Sequence, residues 1–348
     1  MNDPDTQPIV PPATNAEEAG DTEPVTPPTM NHEEEVVIWT RDLTRKFGEE
    51  VAVGDVTMTV PGGKIFGFIG PSGSGKTTTV RLLTGVYEQT SGEMSVLGVS
   101  PALFDQSIRA RIGYMPQLFV LYPELTVWEN LNFAASLYGV PLRRSRRLNE
   151  LLELVELEND KGKLARNVSG GMQRRLSLAA TLIHQPDLIF LDEPTAGVDP
   201  VLRRKFWDHF TAMKEQGRTL FITTQYVSEA NYCDLVAVLS EGHLLVVDTP
   251  EGLRKRAFGG DLVDLRTTRR VPYETRQALA QLPFVRGRPA RVDDTHLRLT
   301  VDEAATDIPN LLEWGREQGI EIDSIEEYLP PFDDVFVELV KETPERDR

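Results

Sequence analysis

The sequence predicts an α/β fold: a mostly parallel sheet interleaved with helices, followed by a small α+β module. Three observations carry this. Apolar, strand-sized runs alternate with helical segments between residues 36 and 257. A glycine-rich turn falls where one of those strands would pass into a helix. Beyond about Phe258 the elements follow the order β-α-β-β-α-β, which suits a ferredoxin-like module. With 348 residues, 40% of them hydrophobic and 26% charged, the chain is long enough for two domains and a sizeable core.

The elements follow from local pattern. Residues 1–35 hold nine acidic residues, no Lys or Arg, and much Pro and Thr. Such a segment buries too little apolar surface to offset its ordering entropy, so a disordered acidic tail is expected there. From Val36 the pattern changes. Val36–Thr40, Val51–Val60 and Lys64–Ile69 read as strands, with turn chemistry at Pro61-Gly62-Gly63. A helix should start at Lys76. Strands at Met94–Leu97 and near Ile112–Met115 come next. Thr126 to about Leu157 reads as helical, broken near Gly139-Val140-Pro141. Apolar runs at Leu188–Leu191, Leu220–Thr223 and Leu235–Leu239 then alternate with helices. One of these, Pro200–Gln216, places Leu202, Phe206, Phe210 and Met213 on one face. In the last third, strands are expected at Asp261–Thr267, Val285–Val292, His296–Val301 and Ile320–Tyr328. Helices are expected at Tyr273–Leu282, Ile308–Gln318 and Asp333–Val340.

Composition narrows the function. The net charge is −17, of which the tail carries −9, so a nucleic-acid binder driven by phosphate neutralisation is disfavoured. No run approaches the ~18 apolar residues of a spanning helix. A role at a membrane therefore calls for a separate spanning chain. No basic-then-apolar leader is read at the N-terminus. A single cysteine, Cys233, excludes an intramolecular disulfide and a cysteine metal cluster. A cytoplasmic protein is expected.

The strongest chemical signal is Gly70-Pro71-Ser72-Gly73-Ser74-Gly75-Lys76-Thr77, a complete P-loop pattern in its required strand-to-helix context. Glycines let successive backbone N–H groups curl around a phosphate, and the new helix adds the positive end of its dipole. Lys76 is expected on the β- and γ-phosphates and the Thr77 hydroxyl on Mg²⁺. The second signal is Leu188-Ile189-Phe190-Leu191-Asp192-Glu193-Pro194, a buried strand ending in two carboxylates. Asp192 suffices for the metal, and Glu193 is placed to act as general base on a water. The third is Val168-Ser169-Gly170-Gly171-Met172-Gln173. Ser169 reads as an N-cap, and two glycines open a helix to about Leu182, an anion site in form. Because the P-loop already holds phosphates in cis, this second site is best explained by a nucleotide bound across a dimer interface.

That third segment resembles the LSGGQ signature of ATP-binding cassette (ABC) ATPases, with Gly171 lying 21 residues before Asp192. Other positions are similar one by one. Phe47 matches the adenine-stacking aromatic, Gln117 the Q-loop glutamine that senses Mg²⁺ and the γ-phosphate, and Asp199 the D-loop aspartate. Gln225 stands where most members have a switch histidine. The family's nucleotide contacts extend to Thr78. The resemblance covers about residues 36–257, with 118–166 as the helical subdomain on a RecA-like core, and leaves 258–345 as an accessory module. Thr223-Thr224-Gln225-Tyr226 and the ending Pro330-Pro331-Phe332-Asp333-Asp334-Val335-Phe336 resemble the daunorubicin-resistance-type drug exporters. It implies an ATP- and Mg²⁺-dependent ATPase subunit, dimeric with itself or a paralogue, serving an integral-membrane permease on the cytoplasmic face. Soluble or regulatory ABC-type ATPases are the alternative. Val168 and Met172 depart from the signature's Leu and Gln, whereas Ser169, Gly170 and Gly171 are kept. Gln225 can donate a hydrogen bond but cannot become cationic, so a histidine-type titration of the rate is not expected.

Overall fold

A computed structural model describes residues 35–117 and 122–342. The acidic tail (1–34), the start of the expected helical subdomain (118–121) and the last six residues lie outside the described residues.

Nine strands form one sheet in the order β4-β1-β2-β9-β8-β3-β7-β6-β5. Its first part is antiparallel: β1 (Val36–Phe47) pairs with β2 (Glu50–Pro61) and with β4 (Ser91–Val96). The remainder is built around parallel strands: β3 (Ile65–Ile69), β5 (Ile112–Met115), β6 (Leu188–Asp192), β7 (Thr219–Thr224) and β8 (Leu235–Ser240). An antiparallel hairpin adds β9 (His243–Asp248). Both faces of the parallel strands are covered, which is why these strands are almost wholly apolar instead of alternating with polar residues. On one face Ile65, Ile69, Ile189, Leu191 and Leu220 join one core; on the other Phe66, Phe68, Leu188, Phe190 and Phe221 join a second. Side chains alternate along each strand, so one strand feeds both.

The second of those cores is closed by α1 (Lys76–Leu83) and the antiparallel strands. A short α2 (Gln106–Arg109) leads into β5. The first core is closed by α3 (Val127–Leu137), α4 (Ser145–Leu154), α5 (Gly170–Leu182) and α6 (Pro200–Glu215). The expected break between α3 and α4 is present, with Gly139 at φ +67°. Thr126 and Glu129 form a reciprocal capping box that starts α3. Helix α7 (Pro250–Phe258), capped by Thr249 and stopped by left-handed Gly259, had no counterpart in the sequence reading. Strand β1 runs seven residues past its expected end, because its register shifts let it pair with both β2 and β4.

The last third contains β10 (Asp261–Thr267), α8 (Tyr273–Leu279), β11 (Val285–Arg291), β12 (His296–Val301), α9 (Ala304–Glu317) and β13 (Ile322–Tyr328). The strands form an antiparallel sheet in the order β11-β12-β10-β13, the ferredoxin-like arrangement. Val263, Leu265, Leu297, Leu299 and Leu311 make its own core. The final helix, α10 (Phe332–Glu342), leaves that module. Its Phe332, Val335 and Leu339 sit in the large sheet's core beside Leu253 and Ala257 of α7.

Candidate nucleotide site

The P-loop curls at the carboxyl end of β3. Gly73 and Gly75 adopt φ of +81° and +95°, open to glycine and strained for other residues. At Gly75 a Cβ would also lie 2.4 Å from the Ala52 carbonyl oxygen, so the loop is built against β2. Around Gly73 a Cβ would meet nothing within 4 Å, which leaves the loop's concave side open to a ligand. Ser74 Oγ is buried and has no hydrogen-bond partner among the described residues. Lys76 is 4% exposed, and its Nζ donates to the carbonyls of Gly70 and Pro71, both at 2.8 Å. Burial pulls the Lys76 ammonium below the ordinary lysine value, opposed in part by the charges of Glu193 and Asp192.

Adjacent strands bring the carboxylates to the loop. Strand β6 lies beside β7, with Asp192 opposite Thr223. Asp192 is fully buried; its Oδ1 accepts from Thr223 Oγ1 at 2.5 Å and from Thr77 Oγ1 at 3.2 Å. Its Oδ2 is buried with no hydrogen-bond partner among the described residues. A buried carboxylate oxygen left without a donor, beside a threonine hydroxyl, is a fitting pair of hard oxygen ligands for Mg²⁺.

Glu193 sits at φ +52°, a conformation strained for a residue with a side chain. Its backbone is over-determined there. The N–H donates to Thr223 O at 3.1 Å and to Thr223 Oγ1 at 3.0 Å, and its carbonyl accepts from Ala196 N–H at 3.2 Å. Gln117 Nε2 donates to Glu193 Oε2 at 3.1 Å. Phe47, Ser72, Gly73, Gly75, Lys76, Thr77, Thr78, Gln117 and Glu193 line one cleft of about 450 Å³. Residues spread over almost 150 positions of sequence thus share one surface.

Four predicted positions lie elsewhere. Ser169 caps α5, its Oγ accepting from Met172 N–H at 3.3 Å, and Gly170 follows exposed to solvent with Gly171 half-buried. Asp199 caps α6 through Val201 and Leu202 N–H, at 3.1 and 3.0 Å. Gln225 is exposed just after β7 and makes no side-chain hydrogen bond among the described residues. None of these lines the cleft. Sequence reasoning missed Thr223, which holds both Asp192 and the Glu193 backbone. Its signal is a threonine at the carboxyl end of an otherwise apolar strand. Arg174 was missed too. From α5 it donates to Ala196 O at 2.7 Å and Gln117 O at 3.1 Å, tying the segments that carry Asp199 and Gln117 to the Ser169 helix.

Fold and site together define a P-loop nucleotide-binding protein. A family model described as ABC transporter matches residues 53–196. The daunorubicin resistance ATP-binding protein DrrA2 of Streptomyces coeruleorubidus is 33% identical over 301 residues, covering 85% of this chain and 92% of that protein. The probable multidrug ABC transporter ATP-binding protein YbhF of Escherichia coli (strain K12) is 38% identical over 231 residues, covering 66% of this chain. Those residues are 40% of YbhF, so the chain spans less than half the length of that relative. Among solved structures, an ATP-binding subunit of an ABC transporter superposes with a TM-score of 0.59 at 29% identity, covering 64% of this chain and 93% of that one. A dimeric ATP-binding cassette in a post-hydrolysis state, bound to ADP and Pi, gives 0.56 at 26% identity, covering 61% and 98%. The chain belongs to the ATP-binding proteins of the ABC transporter family.

Proposed function

We propose that this chain binds and hydrolyses ATP and energises a separate membrane permease, in the manner of a drug or lipophile exporter. The observation that supports it most is the meeting of Lys76, Thr77–Asp192 and Gln117–Glu193 in one cleft at the carboxyl ends of parallel strands. ATP enters with its triphosphate along the P-loop amides and its base toward Phe47. Lys76 turns its ammonium from the loop carbonyls to the β- and γ-phosphate oxygens and stabilises the charge that develops there. Mg²⁺, when held by Thr77 and Asp192, supplies further neutralisation of phosphate oxygens. Glu193 accepts a proton from the attacking water as the water oxygen bonds to the γ-phosphorus and the bond to the ADP oxygen breaks. Gln117, bonded to Glu193 Oε2, orients that carboxylate.

The separation of Ser169–Gly171 and Asp199 from the cleft fits a dimer in which each chain completes its partner's site, formed with a second copy or a paralogous subunit. No helix among the described residues is long and apolar enough to cross a membrane. A peripheral position at the cytoplasmic face, on an integral-membrane permease, accounts for that together with the family. The acidic tail, the nucleotide-binding unit (36–257) and the accessory module (258–345) are the proposed domains. Glu193→Gln tests the chemistry: MgATP binding is expected to persist while turnover falls at least a hundredfold. Unchanged turnover would overturn the assignment. Co-purification of the full chain from gently solubilised membranes, with Glu193→Gln holding the ATP-bound form, tests the partner. A polytopic protein at near-equal stoichiometry is expected, and recovery from the soluble fraction alone would move the chain to the soluble ABC-type ATPases.

A further inference from the structure

At the base end of the cleft, Phe47 is not a free side chain. It closes β1, and Arg45 precedes it by two residues on the same strand face. The Arg45 guanidinium carbon lies 4.6 Å from the Phe47 ring centroid and 5.6 Å from that of Tyr87. Arg45 Nη1 donates to the Glu88 carbonyl at 2.8 Å, while its Nε is buried with no hydrogen-bond partner among the described residues. The guanidinium is thus held to two rings and one carbonyl. Tyr87 meets Phe47 edge-on, with centroids 5.5 Å apart and planes at 74°. The Tyr87 hydroxyl accepts from Arg81 Nη1 at 3.0 Å, and Arg81 belongs to the last turn of α1, the helix that Lys76 begins. A chain of contacts therefore runs from the phosphate end of the cleft to Phe47, which is 42% exposed and lines the cleft with Lys76.

Two physical consequences follow. A ring already held by a cation and an aromatic edge loses little rotamer freedom when a base stacks on it. A cation on one side of a ring also draws its π-density away from the other side, so a purine face stacks there with less repulsion. We propose that Arg45, seconded by Tyr87, is a positioning residue for the nucleobase: it holds and polarises the Phe47 platform, so that base recognition at this site depends on a cation that never touches ATP. The proposal rests on the reading of Phe47 as the base platform.

The test compares MgATP with inorganic tripolyphosphate, which occupies the phosphate cradle and has no base, on the full chain by equilibrium titration. Phe47→Ala should weaken MgATP and leave tripolyphosphate unchanged. Arg45→Ala should weaken MgATP about two- to fivefold, the size of a partly exposed cation–π contact, again without effect on tripolyphosphate. Arg45→Lys, which keeps the cation, should retain more of the ATP preference than Arg45→Gln. If Phe47→Ala lowers the ATP preference and Arg45→Ala does not, the positioning role is wrong while the platform stands. If Phe47→Ala leaves that preference unchanged, both fall. Equal loss of both ligands in Arg45→Ala with no rescue by lysine would make Arg45 a purely structural residue and overturn the proposal.

Discussion

Thr223 is the residue on which most of the site's geometry converges. It bonds Asp192 Oδ1 at 2.5 Å and, through Oγ1 and its carbonyl, the N–H of the strained Glu193. Thr223→Val keeps the shape of the strand but removes the hydroxyl from a fully buried position. It should cost about 1–3 kcal/mol of stability by leaving buried groups unpaired. ATP turnover should fall more than MgATP binding, because the base and the metal ligand lose their common anchor. Denaturation together with kcat measurements checks this, and an unaltered kcat would contradict it. Lys76 allows a pH prediction. Burial lowers its pKa from 10.5, and the negative phosphates of ATP would raise it again. Between the two values the bound form holds the proton that the free form has lost. ATP binding should therefore take up protons on the alkaline side, below pH 10.5, and exchange few through Lys76 near neutrality. Titration calorimetry in two buffers of different ionisation enthalpy reads that proton count, and proton release would be the wrong sign.

Among the elements, two glycines separate packing from chemistry. Gly67 lies in β3, where an added Cβ would stand 2.6 Å from Cys233 Sγ. Gly67→Ala should destabilise the chain by about 1–3 kcal/mol through overpacking in the sheet. Gly170 opens α5 with nothing within 4 Å of a would-be Cβ and no positive φ. Gly170→Ala should fold as well as the parent, since alanine is the better helix residue. A loss of turnover in that variant would thus report on the ligand face of the helix and not on stability. The two melting curves and the ATPase rate of Gly170→Ala check this pair. The same neighbourhood makes Cys233 inert: burial pushes its thiol well up from the ordinary value. A thiol reagent at pH 8 should label it only as fast as the chain unfolds.

At the scale of the whole molecule, the chain is laced together at its end. Helix α10 follows the ferredoxin-like module in sequence but packs on α7 and the large sheet's core. Arg254 reinforces the junction, its guanidinium 4.8 Å from the Phe332 ring centroid and its Nη2 bonded to Asn231 Oδ1. Phe332→Ala should therefore cost about 3–5 kcal/mol, the range for emptying a buried aromatic site. The loss should appear in the transition of the nucleotide-binding part, which MgATP shifts upward by binding the native state alone. If that transition stayed in place and the ferredoxin-like module melted earlier, α10 would belong to the module after all.

The sequence by itself determined what depends on neighbours along the chain. The P-loop, the apolar strands ending in Asp192-Glu193, the capped helix at Ser169 and the β-α-β-β-α-β order are all local patterns, and each element is found within a few residues of its expected place. What only the tertiary structure decided are the relations between strands far apart in the chain. The pairing of β6 with β7 sets Thr223 against Asp192 and thereby holds Glu193 in its strained turn. The extension of β1 carries Arg45 and Phe47 to Tyr87. The return of α10 to the first core joins the two ends of the molecule. Periodicity records which face of an element is buried. It does not record what that face is buried against, because many partners with the same apolar pattern satisfy it equally and only the packed chain selects one.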